Sequence, residues 1–350
     1  MSNDLTILTN YPLPEVVMNK KAKRNLITIF FITCLLNTVF AEENNISTVS
    51  LFDNPVTVRL SLQLPFFLVC IKPESGENET PDEEDAREDA HISYMPNIRL
   101  SGGVGLYYKG FGASYINKIT NISDTDKRGA TKFTDIRLSE YYRKFGADFI
   151  YMDYKGFYLT DAGEHGYSTG QPETKRSDMQ LKIVSISGYY IFSDDFSMRA
   201  AFMQNERQNE WDWTIIAVLS TVYQSLKSDY SLIPPENESA FGSNAGMEDG
   251  VFKGYAAGAG FGLTVPYRDY LFTVVSYFGS GYMLREYKTY EGMKSDNDAF
   301  YRINAKSSIG YNGDDYFYGL SFIFDSIANY SGIRLLANTY TVEIYSGFHF

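Results

Sequence analysis

Alternation of apolar and polar positions is the dominant pattern along this chain. From Val58 the even positions are Val58, Leu60, Leu62, Leu64 and Phe66, and Arg59, Ser61, Gln63 and Pro65 hold the odd ones. From Asn97 the even face reads Ile98, Leu100, Val104, Leu106 and Tyr108, against Arg99, Ser101, Gly103 and Gly105. Further on, Tyr301, Ile303, Ala305, Ile309 and Tyr311 alternate with Arg302, Asn304, Lys306 and Ser308. The last run sets Tyr340, Val342, Ile344, Phe348 and Phe350 against Thr339, Thr341, Glu343, Gly347 and His349. A period of two belongs to a strand. Strands of soluble proteins average about 5–6 residues, whereas a tilted membrane strand needs about 9–11. Each run here holds its period for ten residues or more, which predicts strands that cross a membrane.

Applied to the whole chain, the pattern marks strands at about 55–67, 97–108, 110–118, 132–142, 145–155, 178–193, 196–205, 211–224, 251–265, 270–285, 299–312, 315–327 and 337–350. Tight turns fall at Lys109-Gly110, Arg143-Lys144, Ser193-Asp194-Asp195, Arg268-Asp269 and Gly313-Asp314-Asp315, and longer polar stretches at about 118–131, 155–177, 227–249 and 285–298. Short turns at one rim and longer loops at the other are the habit of membrane barrels, and single-chain bacterial barrels have an even strand number. One of the thirteen segments is therefore not a barrel strand, and the region 196–224 or the first strand is where to look. The predicted fold is all-β, an antiparallel transmembrane β-barrel of twelve strands, within a range of ten to fourteen. In 251–265 the glycines Gly254, Gly258, Gly260 and Gly262 share one face, which suits a wet or crowded lumen better than a sandwich core. Arg99, Lys306 and Glu343 are expected to point inward, because lipid-facing Arg or Lys near mid-bilayer costs on the order of 2–4 kcal/mol. A soluble periplasmic β-sandwich is the competing fold.

Composition agrees with strands. Tyr 29 and Phe 25 against Trp 2 give 16% aromatic residues, and charged residues are only 21%; strands and membrane-interface girdles are built this way. Residues 18–41 read as a secretory signal peptide. Lys20, Lys21, Lys23 and Arg24 precede the apolar run Leu26 to Leu36, and Val39-Phe40-Ala41 ends it before Glu42-Glu43. Translation is expected to begin at Met18, with residues 1–17 a non-native or mis-assigned extension. Residues 42–54 are a short N-terminal segment and 55–350 the barrel. Residues 1–41 carry four bases and the two acids Asp4 and Glu15, so removing them takes the net charge from −12 to −14. An acidic exported chain does not bind nucleic acid. Only Cys70 would remain of the two cysteines, excluding a disulfide scaffold. These features place the chain in the bacterial outer membrane, reached by the general secretory route, with outer-membrane lipid and the barrel-assembly machinery as partners. Phe350, aromatic and on the apolar face of the final strand, is the expected assembly signal.

Candidate chemistry is sparse. The acidic loop 72–92 holds Asp82, Glu83, Glu84 and Asp85, which offer oxygen ligands for divalent cations; a solvated loop is the alternative. On another loop, His165 with Glu164 and Ser168 supplies a base, an acid and a hydroxyl, which as a catalytic set must meet in space. No cofactor is implied. Trp211 and Trp213 share a strand face and suit an interfacial belt.

Several segments carry a resemblance. Tyr94-Met95-Pro96-Asn97 precedes a glycine-rich strand and Tyr108-Lys109-Gly110-Phe111-Gly112. Next come Lys132-Phe133-Thr134-Asp135, Tyr141-Tyr142-Arg143-Lys144-Phe145-Gly146-Ala147-Asp148 and Tyr154-Lys155-Gly156-Phe157-Tyr158. Last is Arg199-Ala200-Ala201-Phe202 with Gln204, Glu206 and Gln208. Together they resemble an uncharacterised bacterial family of outer-membrane-like β-barrels, domain of unknown function 4421, over about residues 50–350. The resemblance implies fold and location, and it brings no catalytic residues. The leading functional expectation is a passive pore or a narrow, ligand-accommodating channel. A barrel enzyme acting on lipid or polysaccharide, and a structural or adhesive barrel, are the alternatives.

Overall fold

A computed structural model describes residues 48–54, 56–73, 90–119, 125–168, 170–329 and 334–350. The expected signal peptide, the extension before it and the acidic quartet Asp82 to Asp85 lie outside these residues.

The strands are β1 (Val49–Leu51), β2 (Val56–Lys72), β3 (Ile92–Met95), β4 (Ser101–Tyr108), β5 (Phe111–Lys118), β6 (Lys132–Tyr141), β7 (Phe145–Leu159) and β8 (Lys175–Ile191). They continue with β9 (Glu206–Gln208), β10 (Asp212–Lys227), β11 (Gly250–Tyr267), β12 (Tyr270–Thr289), β13 (Gly292–Asn312), β14 (Tyr316–Asn329) and β15 (Arg334–His349). Every pairing is antiparallel. The ring runs β2-β4-β5-β6-β7-β8-β10-β11-β12-β13-β14-β15 and closes where β15 pairs with β2 along sixteen registers from Arg334↔Lys72 to His349↔Thr57. Two further bonds, Phe350 N to Val56 O at 2.7 Å and Val56 N to Phe350 O at 3.1 Å, seal that seam. This is a closed twelve-stranded barrel, the count the periodicity predicts.

The thirteenth predicted strand, 196–205, is absent. In its place stand a short helix, α1 (Met198–Phe202), and β9, which pairs with β1 as a separate two-stranded ribbon. Ser193-Asp194-Asp195 accordingly opens an excursion rather than a hairpin. The predicted loop 285–298 is also strand, because β12 and β13 stay paired to Thr289↔Gly292.

β3 has a particular place. It pairs with β2 through Val69↔Tyr94 to Ile71↔Ile92 and with β7 through Tyr94↔Leu159 and Met95↔Tyr158. β5 and β6 do not extend that far. Near the loop rim the wall therefore reads β2-β3-β7 directly and has ten strands, while the terminal half has twelve. At the step, residues 96–100 leave the ladder and the alternation breaks. Ile98, expected outward, is buried in the interior, and Arg99, expected inward, is exposed. Lys306 and Glu343 do point inward.

Outside, an apolar band encircles the ring: Leu60, Leu62 and Leu64 on β2, Leu219 on β10, Ile303 and Ile309 on β13, Val342 and Ile344 on β15, all well exposed. At the terminal rim it ends in a girdle that includes Phe145, Phe192, Trp211, Trp213, Tyr267, Tyr316 and Phe350. Aromatics at this level are what a membrane interface selects. No helix of the described residues is long and apolar enough to cross a membrane.

Inside, the two halves differ. Towards the loop rim the inward faces carry Phe67, Val69, Ile71, Phe133, Leu181, Ile183, Phe252 and Phe300, packed as one apolar core. The connection between β10 and β11 folds into this core with Leu232, Ile233, Phe241 and Met247, and Tyr94 Oη donates to Leu232 O at 2.6 Å. Towards the termini the inward faces turn polar and charged.

Candidate functional site: a charge-lined chamber

The polar half encloses a cavity of about 120 Å³, and its lining includes Arg59, Gln63, Arg137, Asp148, Lys306 and Glu343. Strand parity puts each of these side chains in the lumen, and burial then requires each charge to be paired.

Asp148 on β7 is the centre of one cluster. It accepts hydrogen bonds from Tyr141 Oη at 2.6 Å, Ser139 Oγ at 2.7 Å and Tyr189 Oη at 2.8 Å. Its fourth donor is Lys306 Nζ at 2.6 Å, which comes from β13, five strands round the ring. The ion pair crosses the lumen. Arg302, four residues before Lys306 on β13 and 1% exposed, forks onto Asp325 at 3.0 and 2.8 Å. Its remaining terminal nitrogen reaches Ser185, Ser187 and Ser220 on β8 and β10 at 2.7, 3.1 and 2.6 Å. That contact crosses the lumen as well.

A third cluster sits at the closing seam. Arg59 Nη2 donates to Glu343 Oε2 at 2.7 Å, and the guanidinium lies 3.8 Å from the Tyr345 ring centroid. Glu343 also accepts from Ser321 Oγ at 2.6 Å, and Arg137 pairs with Asp135 at 2.8 Å. Counting Arg302 and Asp135, four cations face four anions, so the chamber is polar without a net sign.

The excursion 193–211 forms the floor. Ser197 caps α1 by accepting from Ala200 N at 2.9 Å, and Arg199 pairs with Glu206 at 2.8 Å. Met198, Ala200, Ala201 and Met203 are buried. Arg59 Nη1 donates to Phe202 O at 3.2 Å and to Gln204 Oε1 at 3.0 Å; Ser308 Oγ donates to Ala201 O at 3.1 Å. Gln204 adopts φ 53°, a left-handed conformation that is uncommon for a residue with a side chain. The glycine face of β11 is explained here: a Cβ at Gly262 would lie 2.8 Å from the Phe196 ring of the floor. At this level the lumen is crowded.

The family-like residues fall on the floor and on the step in the wall. Asn97 N donates to Thr131 Oγ1 at 2.8 Å, and Asn97 Nδ2 to Gly129 O at 2.7 Å; Thr131 Oγ1 donates to Gly156 O at 2.6 Å. Gly156 has φ 91° beside a break in register, and a Cβ there would meet Ala130 O at 2.2 Å. Pro96 is buried beside it. Tyr154 stacks between Phe67 and Phe133 at 5.0 and 5.3 Å, next to Phe157. A Cβ at Gly146 would press on the Tyr141 ring at 2.8 Å. These residues build the chamber's ceiling and supports.

The catalytic trio is not assembled. His165 is 1% exposed and neither ring nitrogen has a hydrogen-bond partner, whereas Glu164 and Ser168 are exposed. Nearby, Tyr167 has its phenol pKa raised by burial and by Glu236. Glu164 instead groups with His91 and Asp161, whose ligand atoms lie within 4.8 Å of one another. His91 Nε2 is 3.8 Å from Asp161 Oδ2. The residues that sequence reading missed are Asp148, Asp325 and the Arg199–Glu206 floor pair as luminal groups. Acidic residues alternating with apolar neighbours on β7 and β14 were the available signal.

The architecture defines a class, a closed antiparallel β-barrel with an outward apolar band and a filled interior. A family model described as Domain of unknown function (DUF4421) matches residues 71–350, and the chain belongs to that family. Comparison with curated proteins gives no match. Among solved structures, the outer membrane protease OmpT from Escherichia coli is similar at 7% identity, covering 88% of this chain and 99% of that one, with a TM-score of 0.35. A deltaS2 mutant of the monoaromatic hydrocarbon channel TodX is similar at 10% identity, 85% and 91% coverage and a TM-score of 0.31. The outer-membrane-expressed OmpT of Vibrio cholerae follows at 8%, 86% and 100%, with 0.29.

Proposed function

We propose that this protein is an outer-membrane barrel that accommodates a small polar ligand in its mid-barrel chamber and is shut at rest, rather than an open passive pore. The observation carrying this reading is the pair of lumen-crossing contacts, Lys306 to Asp148 and Arg302 to Ser185, Ser187 and Ser220, between an apolar ceiling and a folded floor. Balanced charge favours a zwitterionic or neutral polar ligand over a strongly charged one. The unpartnered, exposed apolar band supports membrane insertion.

Thiol labelling tests it. In a Cys70→Ser background, Ser139→Cys puts a thiol on the chamber lining. A small methanethiosulfonate reagent is expected to label it slowly, and a bulky maleimide not at all, until residues 196–208 are deleted. Rapid labelling by both reagents with the floor intact would overturn the reading.

A further inference from the structure

On the outer wall at the loop side, five cations gather where the strand count changes. Lys132 on β6 and Lys155 on β7 are direct cross-strand partners, both exposed. Both point away from the lumen, since their neighbours Phe133 and Tyr154 point in. Like charges directly opposite each other are destabilising unless something lies between them. Three residues on, Tyr158 faces Lys175 across the β7–β8 ladder, and Arg128 sits 5.0 Å over the Tyr158 ring. A Cβ added to Gly129, beside Arg128, would lie 3.7 Å from Lys175 Cβ. The exposed Arg99 lies within electrostatic reach of the same phenol.

Among the described residues, the acids around this patch, the exposed Glu173 included, form no ion pair with its cations. Asp153, two residues below Lys155 on the same face, is held by Lys182 at 3.7 Å, Gln180 at 2.7 Å and Tyr151 at 3.2 Å. Asp178 is taken by Arg176 at 2.8 Å. Asp126 is exposed on the helical turn 125–128. Arg99, Arg128, Lys132, Lys155 and Lys175 have no ion-pair partner among the described residues. In a chain of net charge −12 this is an uncommon concentration.

Its height fixes the partner. Phe145, in the aromatic girdle, and Lys155 are ten residues apart on one strand. At about 3.3 Å per residue and a tilt near 40°, that is roughly 25 Å along the membrane normal, the height of a barrel's apolar band. The cations therefore stand at the headgroup level of the leaflet next to the loop rim. We infer that this patch binds an anionic lipid headgroup bearing a phosphate monoester, with the phosphate between Lys132 and Lys155 and its outer oxygens towards Arg99, Arg128 and Lys175. Arginine and lysine around a headgroup of net negative charge at this depth give charge-assisted hydrogen bonds that a zwitterionic phosphodiester, already balanced by its own cation, makes more weakly. The inference rests on the membrane reading above.

The test uses the full chain refolded into phosphatidylcholine vesicles, with and without phosphatidic acid. Melting is followed by the heat-dependent shift in gel mobility. Phosphatidic acid is expected to raise the melting temperature of the wild type, and the rise is lost in Lys132→Gln/Lys155→Gln. It is retained in Lys288→Gln/Lys294→Gln, which changes charge equally on the opposite wall. Inorganic phosphate added to phosphatidylcholine vesicles is expected to leave the melting temperature unchanged. A folded barrel with the same melting temperature in both lipids, or equal loss in both double variants, would overturn the site. A rise with inorganic phosphate alone would assign the patch to free anion instead. Failure of the wild type to insert into any vesicle would instead overturn the membrane reading.

Discussion

At the scale of single residues, the lumen is held by charges that have given up water and must keep their partners. Lys306 is the plainest case, since it alone brings a positive charge to Asp148 from across the barrel. Replacing Lys306 by Met leaves that carboxylate buried with hydroxyl donors only. Breaking a buried pair from one side costs about 3–5 kcal/mol, so Lys306→Met is expected to lower the urea midpoint of the refolded barrel by a corresponding amount. An unchanged midpoint would show that the pair is hydrated in the native state. Gly156 makes a backbone claim of the same kind. Its φ of 91° and the close Ala130 carbonyl leave no room for a methyl group, and strain of this sort is worth about 1–3 kcal/mol. Gly156→Ala is expected to destabilise by at least that much, read from the same unfolding curve.

At the scale of elements, the strands were legible in the sequence and the plug was not. β2, β13 and β15 alternate so regularly that their lumen-facing residues could be named before the fold was known, Lys306 and Glu343 among them. Residues 196–200 alternate too, with Phe196, Met198 and Ala200 against Ser197 and Arg199, yet they lead into α1 and the turn to β9. Phe196, Met198, Ala200 and Met203 are buried because the segment folds back under the barrel, and a period of two over so short a stretch does not distinguish this from a wall strand. Gln204, Glu206 and Gln208, which continue the parity of Phe196, Met198 and Ala200, bond the floor to itself and to Arg59. The apolar ceiling had a signal that went unused. Alternation lapses over Leu64 to Ile71, where both faces are apolar, and a run of that kind marks a strand covered on both sides. The chamber's location follows from that lapse, but the partners of Asp148 do not, since nothing local fixes which residue on a strand five places round the ring will reach it. The floor's own stability is testable through its cap. Ser197→Ala removes a bond to Ala200 N, and loss of such a cap costs about 1 kcal/mol. It is expected to speed labelling of Ser139→Cys severalfold while leaving the barrel's overall unfolding curve nearly in place. Unchanged labelling would show that access does not run through the floor.

At the scale of the whole molecule, the barrel joins two kinds of interior. The ten-stranded loop half is packed like a soluble protein's core. The twelve-stranded terminal half is a charged chamber standing on a floor that the chain supplies from its own β8–β10 connection. The wall gains its extra two strands below the step at residues 96–100, and the chamber lies against those short strands, β4 to β6. Closure is therefore built in twice, above by side chains and below by a segment with few covalent ties. Of these, the floor is the one whose removal leaves every pairing of the twelve wall strands in place. Planar-bilayer recording of the wild type and of a variant lacking residues 196–208 addresses this most directly. The account predicts no steady conductance from the intact protein, and none from the deletion variant either, because the packed apolar ceiling still closes the lumen. Steady porin-sized currents from the intact protein would contradict it, and so would stable steps from a correctly folded deletion variant whose ceiling is in place.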